Sequence, residues 1–443
     1  MKNRSRFVSL VGGFLLVAGT AAGQTAPPSN PELARRIVEY LRPLQDAGEL
    51  SGTLLVARDG AVVYEQAFGM ASYELAVPNT TSTRYCVASI SKPLTMIVAY
   101  RLVEQKKLAL TDTLDKWFPD FPRAKEITVE HLLRHRAGIP HRVTSDAEEA
   151  VPHTAAEMVV LASRNELLFP PGSQGAYSSA GYSVLARVLE LASGKPYEER
   201  REEIVLAPAR AVHTVHPSPR RLVPGRAPSH LRGVRGPVPA SLKDLSFLVG
   251  AGSLFSTPRD LFSILQALLA GTYGQEARQS LIREKGVSWN GITNGYRAFA
   301  DHHLDGKLTV IFTGNLFTGA ADLLRRDIPK MAAGEAVKAP QVPKVDPKPM
   351  SAALQKRYAG LYELRPGSQE PLEFGGPDEA WLGDWRLIPT SDTTFFSPQD
   401  YGTVHMVIGK DGAVEALEWK TADGNSLRFS RVTAPGPGET TPK

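Results

Sequence analysis

The stretch Val87-Ala88-Ser89-Ile90-Ser91-Lys92-Pro93 limits what this chain can fold into more than any other. Ser89 and Lys92 stand three apart, so on a helix they project from one face and the amine can reach the hydroxyl. Leu94, Ile97, Val98 and Leu102 then recur at helical spacing, and Pro93 is tolerated because it lies near the helix start. The pattern predicts a strained turn that delivers a serine into the mouth of a buried helix. A serine hydroxyl is a weak nucleophile at neutral pH, and a lysine takes its proton only when burial and neighbouring cations depress the amine's pKa. Such a pair demands a closed, partly dry pocket. The tetrapeptide S-x-x-K alone is expected about once by chance in a chain of this composition. On this stretch alone, Ser89 as an N-cap with Lys92 solvated remains an alternative.

The ends and the charge narrow the setting. Lys2, Arg4 and Arg6 precede an apolar run from Phe7 to Ala18 and small residues through Gly23, the pattern of a secretory signal peptide cleaved near Gly23-Gln24. That run is too short to span a bilayer comfortably, and no later stretch approaches the length of a membrane helix. Export to a periplasmic or extracellular space is therefore expected. The formal charge of +5 includes the three leader cations. The remaining charge, about +2, is too weak to imply nucleic acid. Cys86 is the single cysteine, so it cannot form an internal disulfide, and no cysteine follows the leader to carry a lipid. Three residues before Ser89, it is read as a small buried filler, with a reactive thiol as the alternative.

The 443 residues, 42% of them apolar, can fill one large unit and a small one. Pro31 to Gln45 reads as a helix, followed by alternating runs Gly52 to Ala57 and Ala61 to Phe68 around an Asp59-Gly60 hairpin turn. Ile127 to Leu133 suggests a buried helix ending near Gly138. His131 and His135 lack the glutamate of an H-E-x-x-H zinc site and are read as structural. Thr154 and Glu157 form a capping box for a helix to about Arg164. Phe169-Pro170-Pro171-Gly172 leads to Tyr177-Ser178-Ser179-Ala180-Gly181-Tyr182 and a helix stopped by Gly194. A loop tyrosine there can sit over a pocket or pack as an aromatic with a wet hydroxyl. Pro208 to Pro239 is expected to be irregular. Strands are expected at Gly295 to His302 and Leu308 to Phe312, where the neighbours His302 and His303 face opposite sides and share no metal. Prolines and lysines make 336–350 a linker. Beyond it, Tyr358 to Leu364, Thr394 to Phe396, Val404 to Ile408, Val414 to Trp419 and Leu427 to Val432 read as strands of a small all-β domain over 351–432, before a disordered tail, 433–443.

Taken together, these residues resemble the serine β-lactamase and penicillin-binding-protein superfamily, on the class C β-lactamase, D-alanyl-D-alanine carboxypeptidase and esterase branch. The resemblance spans roughly Leu33 to Met331. It rests on the opening hairpin, Ala88-Ser89-Ile90-Ser91-Lys92-Pro93, Leu132-Leu133-Arg134-His135-Arg136-Ala137-Gly138, the Phe169 to Gly172 turn and the Tyr177 to Tyr182 run. The opening Tyr358-Ala359-Gly360-Leu361-Tyr362 resembles the lipocalin-like module that often trails such enzymes. The resemblance implies an α/β (α+β) fold, an antiparallel sheet flanked by helices plus a helical subdomain, within a hydrolase domain over 24–335. It implies Ser89 as acyl-accepting nucleophile, Lys92 as proton acceptor or the group that holds the base, and Tyr177 as the phenol that shuttles protons to the leaving group. No cofactor or metal is implied. The partner is a small-molecule or peptidoglycan-like substrate.

The chain departs from the family pattern twice. Ser179 stands where the second motif has asparagine, and its shorter reach weakens its hold on Lys92 and on a substrate amide. Trp289-Asn290-Gly291 is the counterpart of the third motif, so Trp289 replaces a cation and offers one neutral donor. The backbone N–H of Ile292, with that of Ser89, is still expected to form an oxyanion hole, since backbone donors do not depend on side-chain identity. Two readings follow. One is an exported serine hydrolase acting on an ester, peptide or β-lactam-like amide, tilted toward esters. The other is a catalytically impaired relative that binds cell-wall peptides or a protein partner through the same cleft.

Overall fold

The computed structural model describes residues 27–218, 222–364, 369–422 and 424–432. The expected leader and tail lie outside the described residues. Helix α1 (Asn30–Asp46) has Pro31 in its first turn, where no N–H partner is lost, and buries Leu33, Ile37, Tyr40, Leu41 and Leu44 as one stripe. Strands β1 (Gly52–Arg58) and β2 (Ala61–Phe68) meet at Asp59-Gly60, where both turn residues have positive φ, as a two-residue hairpin requires.

Strands β3 (Gly286–Thr293), β4 (Tyr296–His303) and β5 (Leu308–Gly314) complete an antiparallel sheet in the order β2-β1-β5-β4-β3. Period-two alternation divides its side chains between two cores. Leu54, Val56, Phe299, Val310 and Phe312 face α1 and the helix α6 (Ala320–Ala332). Leu55, Ala57, Ala300 and Ile311 face the other way, into the larger core. That core is shared with α2 (Ser91–Glu104), α3 (Ala155–Ser163), α4 (Ser179–Ser193) and α5 (Pro258–Leu269). Both faces are covered, so the inner strands β1 and β5 are buried along almost their whole length. Strand β3 lies at the edge of the sheet.

Local signals set the helix ends. Thr154 and Glu157 form the reciprocal capping box of α3, and Gly194 takes the left-handed conformation that ends α4. Three expectations need correction. The helix expected over Ile127 to Leu133 is five residues long, Val129–Leu133, with the side chain of His131 closing a capping box onto Thr128. The stretch Pro208 to Pro239, expected to be irregular, contains the paired strands His230–Gly233 and Gly236–Pro239. Its prolines are accommodated because the second strand lies at a sheet edge. Tyr358 ends a helix, Ala352–Tyr358, instead of opening a strand.

The last module is an eight-stranded closed barrel running from Gly360–Glu363 to Ser426–Arg431, whose first and last strands pair. Closure leaves no open edge. Strands Gln369–Gly376, Glu379–Leu382 and Trp385–Pro389 were not expected from the sequence. No helix among the described residues is long and apolar enough to cross a membrane.

Candidate active site

Ser89 is held by a turn that the flanking backbone imposes. The short strand Tyr85–Cys86 pairs with Phe255–Ser256, and the Val87 N–H donates to the Leu254 carbonyl at 2.8 Å. Ala88 then adopts a left-handed φ of 47°, a conformation that costs a non-glycine residue about 1 kcal/mol. A 3-10 turn, Ala88–Ile90, carries Ser89 and runs directly into α2. The turn segment Gly250 to Leu254, which leads into Phe255–Ser256, is stitched to the same region. Thr95 Oγ1 donates to the Gly250 carbonyl, Cys86 Sγ to the Gly252 carbonyl, and the Leu254 N–H to Ser91 Oγ. Burial pushes the Cys86 thiol up to about 12, so it stays protonated and fills space.

Three side chains from two distant stretches meet at this turn. Tyr177 Oη lies 2.7 Å from Ser89 Oγ. Lys92 Nζ lies 3.2 Å from Ser89 Oγ, 3.2 Å from Ser179 Oγ and 3.0 Å from the Ala251 carbonyl. Lys92 is only 4% exposed, and desolvation lowers its pKa to about 7. Near neutral pH a large share of this amine is uncharged. It then has two N–H donors and one lone pair. With the donors on Ser179 Oγ and the Ala251 carbonyl, the lone pair faces Ser89. Burial raises the pKa of the Tyr177 phenol, against the opposing effect of its hydrogen bonds to Ser89 and Ser179, so it is neutral at physiological pH. Its ring remains 41% exposed and forms part of the cleft wall. Lys92 Nζ sits 4.6 Å from the centre of that ring.

Helix α4 presents Ser179 because Ser178 caps it, accepting from the Gly181 N–H at 2.9 Å. Two histidines support this start. His141 Nδ1 accepts from the Ser179 N–H at 3.2 Å, and His135 Nδ1 accepts from the Ser178 N–H at 3.1 Å. Both rings pack on Tyr177, at centroid distances of 4.6 Å for His135 and 5.4 Å for His141. Burial, then the nearby Lys92 and His141, lower the His135 pKa to about 4, so its nitrogen is free to accept. Sequence reasoning had His135 as structural and passed over His141. The signal available for His135 was its place in the Leu132 to Gly138 run, while His141 carries no local pattern.

The third stretch is only partly brought to Ser89. A Cβ on Gly291 would collide with the Val87 carbonyl and sit 3.3 Å from Ala88 Cβ, so glycine is what lets β3 press against the Ser89 turn. That contact puts the Ile292 backbone beside the turn, with its side chain turned out and 38% exposed. Asn290 points to the opposite face, where Arg297 and Arg325 donate to its Oδ1. Trp289 is 5% exposed and packed into the larger core, so its indole stands away from the open cleft.

The barrel reaches toward the same region. Lys243 Nζ bridges Asp384 of the barrel, at 3.3 Å, and the buried Glu149, at 2.9 Å. Glu149 also accepts from Arg142 Nε at 2.8 Å and Thr144 Oγ1 at 3.0 Å. These residues follow His141 directly. On the other side of the interface, Tyr401 Oη donates to Glu49 Oε2 at 3.0 Å, and the rings of Phe317 and Trp385 lie 5.4 Å apart.

Comparison with known proteins places this arrangement. Penicillin-binding protein 4* of Bacillus subtilis is 27% identical over 84% of this chain and 93% of its own length. The D-alanyl-D-alanine-carboxypeptidase/endopeptidase AmpH of Escherichia coli is 28% identical over 59% of this chain and 69% of its own. The crystal structure of SurE, at 21% identity, superposes with a TM-score of 0.59 over 91% of this chain and 99% of that one, which shows a shared fold. The sequence profile of the beta-lactamase family matches residues 36–330, and the chain belongs to that family, as a serine hydrolase of the β-lactamase and penicillin-binding-protein superfamily.

Proposed function

We propose that this protein is an exported hydrolase that cleaves esters in preference to amides through an acyl-enzyme on Ser89. The observation that carries the reading is the convergence of a buried amine of pKa about 7 and a neutral phenol on one hydroxyl, at 3.2 and 2.7 Å. Ser89 Oγ attacks the substrate carbonyl carbon and gives its proton to the Lys92 lone pair. The N–H groups of Ser89 and Ile292 receive the developing oxyanion. As the carbon–oxygen bond to the leaving group breaks, Tyr177 donates its phenolic proton to the departing alkoxide. The Lys92 ammonium restores that proton through the Ser179 hydroxyl, which touches both groups and, unlike an asparagine amide, can accept and donate in one step. Water then attacks the acyl carbon, giving one proton back through Tyr177 and Lys92 to Ser89 Oγ.

The preference for esters follows from chemistry: an alkoxide leaves more readily than an amine, so an ester makes a smaller demand on the proton donor. The test is labelling with a fluorophosphonate probe together with p-nitrophenyl ester turnover. Wild-type protein should label and turn over, and Ser89→Ala should do neither. Equal labelling of both would remove Ser89 as nucleophile. Tight binding of muropeptides without any turnover would instead support the impaired-relative reading.

A further inference from the structure

A cavity of about 360 Å³ opens between α2, the helix Gln275–Leu281 and the β3–β4 strands at the end away from Ile292. Val287 and Trp289 line it, and they share a face of β3 with Gly291, the residue that presses on the Ser89 turn. At about 3.4 Å per residue, Trp289 lies about 7 Å and Val287 about 14 Å along the strand from Gly291. From the helix side the cavity is closed by Pro93 and Met96, which follow Lys92 on α2. The cavity and Ser89 thus lie beside the same pair of elements, β3 and α2, at different points along them.

The lining is divided in character. Pro93, Met96, Leu281 and Trp289 make an apolar floor. The rim carries Arg283 and Lys285, exposed cations with no side-chain partner among the described residues. Asp301 does not neutralise them, because its carboxylate is bound by Arg325 through both oxygens, at 2.6 and 2.9 Å. His302 and His303 also line the cavity.

We propose that this cavity is a second recognition subsite, which takes an apolar, ring-sized group ended by a carboxylate, as the distal part of the substrate cleaved at Ser89. The inference rests on the acyl-enzyme reading for its place in catalysis, but not for the binding itself. The ring lies on Trp289 and Met96, and the carboxylate meets Arg283 and Lys285. Here an apolar station with cations at its far rim replaces the cation that the third motif carries elsewhere.

Binding is measured first, by calorimetric titration of the full chain carrying Ser89→Ala, so that turnover plays no part. The probes are 4-phenylbutyrate and its uncharged amide, 4-phenylbutanamide. The acid should bind about fivefold to tenfold tighter than the amide, the effect of two exposed cations on one carboxylate. Arg283→Ala/Lys285→Ala, a surface change, should erase that difference. Equal affinity for acid and amide, or an unchanged preference in the double variant, overturns the subsite whatever the fate of the Ser89 reading. Turnover is measured second, with Ser89 intact, on esters bearing a distal carboxylate on the acyl side or on the alcohol side, each beside an uncharged ester of equal length. In the double variant KM should rise about fivefold to tenfold for one of the two charged esters, with kcat and the uncharged esters unmoved. No selective rise in either would show that the cavity binds carboxylates but is no part of the substrate path.

Discussion

Lys92 is the residue on which stability and chemistry pull in opposite directions. Its pKa is about 7 in the folded protein and near 10.5 in the unfolded chain. Below about 7 both states hold the proton, and the folded state bears the full cost of a buried ammonium. Between about 7 and 10.5 only the unfolded chain remains protonated, so this group makes stability rise with pH through that window. Replacing it with an apolar isostere removes the buried charge but leaves Ser179 Oγ and the Ala251 carbonyl without their donor. Lys92→Met is therefore expected to raise stability at pH 6 by about 2 kcal/mol, less than the pKa shift alone would suggest, while ester turnover is lost. Chemical denaturation at pH 6 and pH 10 checks this, because the gain should shrink at the higher pH. The wild-type rate should rise with pH along a limb centred near 7, as neutral Lys92 accumulates.

Strand β3 shows how an element can serve a site without contributing a reactive side chain. Its edge position leaves backbone N–H groups free to meet a ligand, and Gly291 lets it approach the left-handed turn at Ala88. Any side chain at 291 would push the strand off the turn and widen the gap between the Ser89 and Ile292 N–H groups, the oxyanion donors proposed above. Gly291→Ala is expected to lower stability by about 2 kcal/mol through overpacking and to cut kcat by about 100-fold. Steady-state kinetics with thermal unfolding separates the two effects. A variant destabilised as expected but with unchanged kcat would show that β3 does not position the oxyanion. Helix α4 works in a similar way, since Ser178 and the two histidines fix its first turn and thereby the direction of Ser179.

Across the whole molecule, the barrel is joined to the catalytic unit by ion pairs that end beside the cleft. Asp384, Lys243, Glu149 and Arg142 form a chain from the barrel surface to the segment that carries His141 against Tyr177. The two ends of this chain differ in burial. Glu149 is buried among two cations and a threonine, and Glu149→Ala should cost about 3 kcal/mol and lower kcat, because the uncompensated cations loosen the support of Tyr177. Asp384 is exposed, and Asp384→Ala should cost less than about 0.5 kcal/mol. Parallel melts and kinetics of the two variants check the contrast, and equal losses would mean that the barrel contact carries the whole effect.

Much of this molecule was legible in the sequence because its signals are local. Hairpin turns, the Thr154 capping box, the Gly194 stop and the Ser89-x-x-Lys92 pair each depend on residues within one helical turn or one β-turn. The barrel was read only in part, since eight short strands closing on one another depend on pairings between residues far apart in the chain. For the same reason only the tertiary structure could bring Tyr177 and Ser179 to Ser89, set His135 and His141 beneath the phenol, and turn Trp289 inward and Asn290 to the far face. A residue's type is written at its own position, but its burial, its pKa and its partners are set by chain segments that arrive from elsewhere.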